Sequence, residues 1–90
     1  MAVKELNTDS CELKSLYLLK EYHGRKLGYK LLKTAACYAE SEGYTRMYLD
    51  TFSTSTRAVS LYEKAGFVYT ERYNDNYAAD VFMVLNFSDH

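Results

Sequence analysis

The sequence predicts one mixed α/β domain spanning residues 1–90, with the element order strand, strand, helix, strand, helix, strand, strand (β-β-α-β-α-β-β). Two observations carry this prediction. Several short segments alternate apolar and polar residues or are continuously apolar, as strands are. Two other segments place apolar residues every three or four positions, as helices do. The chain has no proline and only four glycines, so it shows no flexible linker between domains. A strand, a helix and a strand in succession predict two parallel neighbours in one sheet.

The first two strands are predicted over residues 2–6 and 12–19. Residues 7–10 between them are Asn, Thr, Asp and Ser, whose short polar side chains bond their own backbone in turns. The two strands are therefore expected to form a hairpin. The later predicted segments are strands over residues 44–51, 67–72 and 81–87, with a polar loop over residues 73–79.

The longer helix is predicted over Arg25–Ser41 and ends before Gly43, where a left-handed residue is needed. Its apolar positions are Leu27, Leu31, Ala35 and Tyr38, with Leu32, Ala36 and Ala39 beside them. The shorter helix follows a polar stretch over residues 53–56 that is rich in residues favoured at the N-cap. It ends at Gly66 and places on one face Ala58, Leu61, Tyr62 and Ala65.

Composition excludes several classes of function. The formal net charge is −1, so the chain lacks the basic excess that collects nucleic-acid phosphates. No apolar run approaches the length of a membrane span, and the N-terminus is not a signal peptide, so we expect a cytoplasmic protein. Cys11 and Cys37 lack the spacing of metal ligands, so no metal is expected, and we expect each to be a small buried apolar residue.

A strand that enters a glycine-containing turn and then a helix is the first candidate binding site. The first amides of a helix have no partners within it and carry partial positive charge, which suits a pyrophosphate. Gly24 and Gly28 allow close approach of an anion, and Arg25 and Lys26 add formal charge. The spacing fits neither the Walker pattern nor the dinucleotide fingerprint. Taken alone, the same residues also fit a solvated turn.

Two motifs in order resemble the GNAT N-acetyltransferase superfamily. The family's cofactor motif, Gln/Arg-x-x-Gly-x-Gly/Ala after a strand, is matched by the run His23, Gly24, Arg25, Lys26, Leu27 and Gly28. The family's later motif, Asn-x-x-Ala-x-x-x-Tyr-x-x-x-Gly-Phe, is matched at Ser55, Ala58, Tyr62, Gly66 and Phe67. The resemblance covers nearly the whole chain.

The resemblance implies an acetyl-CoA-dependent N-acetyltransferase. In such enzymes the cofactor lies in a V-shaped opening between two splayed central strands. The pantetheine arm would pair with Leu16, Tyr17 and Leu18, and the pyrophosphate would bind the loop amides of residues 23–28. Ser55 would lie beside the cofactor, and Tyr62 would protonate the leaving thiolate. The resemblance does not fix the general base, for which the candidates are Asp50, Glu12, Glu21 and His23.

The chain departs from the family pattern at Lys26, which replaces a glycine, at Ser55, which replaces an asparagine, and at Lys20, which replaces a proline. Most of the family's first strands and helices, which build much of the acceptor site, have no counterpart, so the expected fold is a truncated GNAT-like one. One edge and one face of the sheet would be left uncovered, which predicts self-association, as a homodimer. A non-catalytic coenzyme A-binding half-domain, or a structural or assembly subunit, is the alternative function.

Overall fold

The computed structural model describes residues 2–14 and 25–87. In that part of the chain, one five-stranded sheet carries two helices. The strands are β1 (Ala2–Glu5), β2 (Ser10–Lys14), β3 (Arg46–Thr51), β4 (Val68–Tyr69) and β5 (Val81–Asn86), and the helices are α1 (Arg25–Ser41) and α2 (Thr56–Lys64). This confirms the predicted α/β class and the predicted element order. Neither described helix is long and apolar enough to cross a membrane.

The strands lie in the order β1-β2-β3-β5-β4. β1 and β2 form the predicted antiparallel hairpin. β2 runs parallel to β3, as expected for two strands joined by a helix. β5 runs antiparallel to both β3 and β4, so the sheet is mixed.

Turn chemistry sets the ends of several elements as predicted. The Asn7 side-chain oxygen accepts a hydrogen bond from the Asp9 amide at 2.9 Å, which closes the hairpin turn. Gly43 (φ 96°) and Gly66 (φ 105°) follow the two helices in the left-handed region. A Cβ at Gly66 would lie 3.3 Å from Leu85 Cδ1, so this end is also tightly packed.

The core lies between the two helices and one face of the sheet. Met47, Leu49 and Thr51 alternate along β3 and are buried on this face. Over residues 28–41 of α1, the part whose burial is described, the buried positions are Gly28, Leu32, Ala36 and Ala39. Tyr38, which we expected on the apolar face, is 56% exposed. The buried row thus contains Leu32, Ala36 and Ala39, which we had placed beside the predicted apolar row. The packing of the helix against the sheet decides how the helix is rotated about its axis.

The two cysteines differ. Cys11 is fully buried in the core, and burial raises the pKa of its thiol to about 11. The thiol is therefore protonated at neutral pH and unreactive. Cys37 lies on the outer side of α1 and is exposed, so the expectation that it would be buried was wrong. The helical period, rather than the apolar character of the side chain, decides its position.

The predicted strand over residues 67–72 is shorter than expected. β4 covers only Val68–Tyr69, and one further backbone hydrogen bond runs from the Thr70 amide to the Phe82 carbonyl at 2.8 Å. The chain then leaves the ladder because the Arg72 side chain binds the backbone instead. Its guanidinium donates to the carbonyl oxygens of Asn76 and Ala79 at 2.8 and 3.1 Å. These bonds fold residues 70–80 into a structured loop, here called the β4–β5 loop.

Candidate functional site

Among the described residues, the two parallel strands in the middle of the sheet stop pairing before their carboxyl ends. Pairing between β2 and β3 joins residues 10–12 to residues 46–48. Beyond that point, Leu13 and Lys14 pair only with β1, and residues 49–51 pair only with β5, among the described residues. The described ladder between the two strands therefore ends at Glu12 and Tyr48. The end of this ladder, hereafter the β2–β3 opening, is where the V-shaped site was expected, and ligands of α/β sheets bind at this end of the strands.

Helix α1 begins at the same end of the sheet, because a helix between two parallel strands runs antiparallel to both. Its first turn has no acidic residue, so nothing on the helix opposes the positive end of its dipole. Arg25, Lys26 and Leu27 lie in this first turn, and Gly28 is buried there. The other predicted cofactor residues lie outside the described ranges: Leu16, Tyr17, Leu18, His23 and Gly24.

Ser55 is the N-cap residue of α2 and belongs to the polar stretch over residues 53–56 that was expected to precede this helix. Its carbonyl accepts the Val59 amide at 3.0 Å, and its side chain makes no capping hydrogen bond. The Ser55 amide donates to the Phe52 carbonyl at 2.9 Å, which closes the turn after β3. The hydroxyl of Ser55 is therefore not committed to capping the helix.

Tyr62 is fully buried in the middle of α2. Its ring contacts Phe67 with the ring centroids 5.8 Å apart. Burial raises the pKa of the Tyr62 phenol, and the negative charge of Asp50 raises it further. Asp50 lies in the part of β3 that borders the β2–β3 opening, and its carboxylate is close enough to act electrostatically on the phenol. The phenol is therefore a protonated group at neutral pH, as a proton donor must be.

Thr51 is a polar residue of the site that the sequence did not indicate. Its side chain is 1% exposed, and its hydroxyl is the buried side-chain group without a hydrogen-bond partner among the described residues. An unsatisfied buried hydroxyl costs about 1–3 kcal/mol. It lies at the end of β3 beside the opening. The strand alternation with Met47 and Leu49 could have placed it inside, but no sequence pattern shows that a hydroxyl lacks a partner.

The other face of the sheet carries a polar network beside the opening. The Asn74 side-chain amide donates to Asp50 Oδ2 at 2.7 Å and to Glu12 Oε2 at 3.2 Å. The Asn76 amide nitrogen Nδ2 donates to the same Asp50 oxygen at 3.2 Å. Glu12 is only 3% exposed, and its other oxygen lies 3.1 Å from Lys14 Nζ. The sequence indicated the two carboxylates as candidates but not the loop that joins them.

Aromatic rings anchor the β4–β5 loop to this face. The Tyr73 ring contacts Tyr48 and Phe82, at centroid distances of 4.9 and 5.7 Å. Its hydroxyl donates to Glu12 Oε2 at 2.6 Å. Burial raises the pKa of Tyr73, and the hydrogen bond to Glu12 raises it further. The Arg72 guanidinium lies 4.6 Å above the Phe82 ring. The loop therefore covers the middle of a face that we expected to be open.

Asp80 connects the same loop to the turn before α2. Its two oxygens accept hydrogen bonds from the Ser53 amide and the Ser53 hydroxyl, each at 2.7 Å. These bonds hold the pKa of the Asp80 carboxyl below its usual range. The Asp80 amide also donates to the Thr51 carbonyl at 3.2 Å. The residue therefore fixes the end of β3 relative to the start of the helix that carries Tyr62.

We expect Asp80→Asn to lower the melting temperature at neutral pH and to flatten its dependence on pH. The folded-state pKa lies below the unfolded one, so the stabilisation is present above about pH 4 and is lost as pH falls through the folded-state pKa. Melting curves from pH 7 to pH 2 test this. Asp75→Asn, an exposed position in the same loop, is the control and should follow the wild type. Parallel curves for Asp80→Asn and the wild type would contradict the role.

Comparison with known proteins gives a consistent family match. The model of the acetyltransferase (GNAT) family matches residues 2–67. An uncharacterised N-acetyltransferase of Schizosaccharomyces pombe is 47% identical over 66 residues, which is 73% of this chain and 40% of that protein. One of Dictyostelium discoideum is 36% identical over 66 residues, covering 73% of this chain and 31% of that protein. The chain thus spans less than half the length of these relatives.

Solved structures show the same fold. A GNAT family acetyltransferase from Elizabethkingia anophelis, crystallised with acetyl-CoA bound, superimposes with a TM-score of 0.75 at 19% identity. The match covers 93% of this chain and 65% of that one. A domain from Methanocaldococcus jannaschii matches with a TM-score of 0.60 at 24% identity. The match covers 93% of this chain and 53% of that one. At such identities the likeness concerns the fold alone.

Proposed function

Because the chain belongs to the GNAT acetyltransferase family, we propose that it transfers an acetyl group from acetyl-CoA to an amine. One observation carries the proposal: β2 and β3 stop pairing after Glu12 and Tyr48. The gap leaves strand edges that can hydrogen-bond an extended amide-containing arm such as pantetheine. It lies at the start of α1, whose first turn has no acidic residue and suits a diphosphate.

In this proposal the cofactor residues are those that the resemblance indicates. Leu16, Tyr17 and Leu18 would pair with the pantetheine arm. The loop and first helical turn would bind the pyrophosphate through their amides, at His23, Gly24, Arg25, Lys26, Leu27 and Gly28. Ser55 has a hydroxyl free of the capping role and would contact the cofactor from the start of α2. A lysine at position 26 would contribute a point charge to the phosphates.

Two side chains would handle the protons. Acetyl-CoA supplies the acetyl group as a thioester, and the amine nitrogen takes that group as the carbon–sulfur bond breaks. Tyr62 donates its phenolic proton to the thiolate that leaves. Its raised pKa keeps the phenol protonated before the reaction but also makes it a weaker acid than a free tyrosine. Asp50 accepts the proton that the amine loses. Both described hydrogen bonds to Asp50 use Oδ2, which leaves Oδ1 for this role. Backbone amides at the opening would stabilise the developing negative charge on the carbonyl oxygen.

The test combines binding and turnover. Calorimetry with acetyl-CoA measures binding, and a thiol-release assay over a panel of amines measures transfer. We expect both signals. Binding without thiol release would support the alternative, a non-catalytic coenzyme A-binding module. Absence of both signals would contradict the enzyme and the binding module alike.

The proposal also includes self-association, as a homodimer in the cytoplasm. The edge strand β4 is short, and Tyr69 on this strand is 59% exposed, with Tyr77 in the following loop 80% exposed. Exposed aromatic rings beside a strand that pairs on one side only, within the described ranges, suit an interface with a second copy. Sedimentation velocity at micromolar concentration should show a dimer. A monomer under those conditions would contradict this part of the proposal.

A further inference from the structure

The contacts of the β4–β5 loop point to a positioning residue for the transfer reaction. We infer that Asn74 orients Asp50 by joining it to Glu12 across the β2–β3 opening. The inference rests on the proposed function, because it assigns a role in that reaction. It adds a residue from a loop that neither sequence motif includes.

One nitrogen joins two carboxylates that stand on different strands. Asn74 Nδ2 lies 2.7 Å from Asp50 Oδ2 and 3.2 Å from Glu12 Oε2. An amide nitrogen carries two hydrogens, so it can donate one to each carboxylate. Glu12 belongs to β2 and Asp50 to β3, and these strands no longer pair beyond Glu12 and Tyr48. Asn74 therefore supplies a side-chain link at the point where the backbone link ends.

The orientation of the Asn74 amide is itself fixed. Its side-chain oxygen accepts the Asn76 amide at 3.0 Å, so its nitrogen must face the carboxylates. Glu12 is held from other directions by the Tyr73 hydroxyl at 2.6 Å and by Lys14 Nζ at 3.1 Å. These contacts hold the buried Glu12 in place. Asn74, which is hydrogen-bonded to Glu12, therefore holds the more accessible Asp50 in place as well. Because Oδ2 is held in this way, the carboxylate of Asp50 keeps one orientation, in which Oδ1 can accept the proton of the incoming amine.

The alternative role for Asn74 is packing of the loop, and two substitutions separate the roles. Asn74→Asp keeps the size and shape but removes the donor and adds a third carboxylate. Asn74→Ala removes the donor without adding charge. Positioning by donation predicts that kcat falls at least as far in Asn74→Asp as in Asn74→Ala, by about 10- to 100-fold, the worth of a hydrogen bond to a charged group. A packing role predicts the reverse order.

The experiment measures kcat for transfer and the Kd for acetyl-CoA in both variants and in Asp75→Asn, the exposed neighbour in the loop. We expect an unchanged Kd throughout and wild-type kcat for Asp75→Asn. Asn74→Asp retaining more activity than Asn74→Ala, or wild-type kcat in both, would overturn the inference. In the Asp50→Asn background, Asn74→Ala should cost little further kcat, because it acts through Asp50. An undiminished cost there would also overturn it.

A readout without substrate separates this inference from the proposed function. A wild-type chain that turns over no amine would contradict the function but leave the hydrogen bond testable. Urea unfolding of Asn74→Ala, Asp50→Asn and the double variant measures their coupling. Non-additive effects would support the link between the two side chains, and additive effects would overturn it.

Discussion

Replacing Tyr62 by phenylalanine should lower kcat by about 100- to 10,000-fold, the usual contribution of a general acid. The Kd for acetyl-CoA should stay within about twofold, because the phenol acts on the leaving thiolate rather than on the bound thioester. The ring itself is needed for packing against Phe67, and phenylalanine keeps that contact. Steady-state thiol release and calorimetry on the same preparation give the two numbers.

The control for this prediction is Tyr38→Phe. Tyr38 is 56% exposed on the outer side of α1, so its hydroxyl should not affect turnover. Equal losses of turnover and cofactor affinity in Tyr62→Phe would show that the tyrosine is only structural. Wild-type turnover in Tyr62→Phe would lead to the same conclusion, because the reaction would then not need the phenolic proton.

Replacing Leu49 by alanine should destabilise the chain by about 2–5 kcal/mol, the range for a buried leucine in a packed core. Leu49 is fully buried on β3, which pairs with β5 along its whole length and with β2 at one end. A chain of this size has a total stability of roughly 5–13 kcal/mol. The variant should therefore lose a large share of it. Urea denaturation followed by circular dichroism measures the change.

Val68→Ala is the matched control, because Val68 is also an apolar strand residue but is 54% exposed. Its effect should stay within about 0.5 kcal/mol. Similar losses for the two variants would contradict the assignment of the core to the face of the sheet that carries the helices.

The sequence predicted the elements well because their signals are local. The bounds of α1 followed from its periodicity and from Gly43, and the end of α2 followed from Gly66. The turn at Asn7 followed from a side chain that bonds the backbone two residues away. The hairpin of β1 and β2 and the parallel pair of β2 and β3 followed from the connections between these strands, but β4 does not lie beside β3, because β5 is between them. Each of these features depends on residues near one another in the chain.

The features that the sequence did not reveal depend on distant contacts. Asn74 meets Glu12, which lies 62 residues away in the sequence, and Asp50, 24 residues away. No periodicity or motif in the sequence predicts these contacts. The exposure of Tyr38 depends on how α1 rotates against the sheet, and the early end of β4 depends on the bonds of Arg72 to the loop. Tertiary packing decided these cases over local preference.

The most direct test of the central claim, that the β2–β3 opening at the start of α1 holds acetyl-CoA, is a titration with coenzyme A followed by backbone amide NMR. We expect saturable shifts concentrated at the end of β2, in the first turn of α1, and in residues 49–51. No shifts at millimolar coenzyme A, or shifts confined to the outer strands β1 and β4, would contradict it.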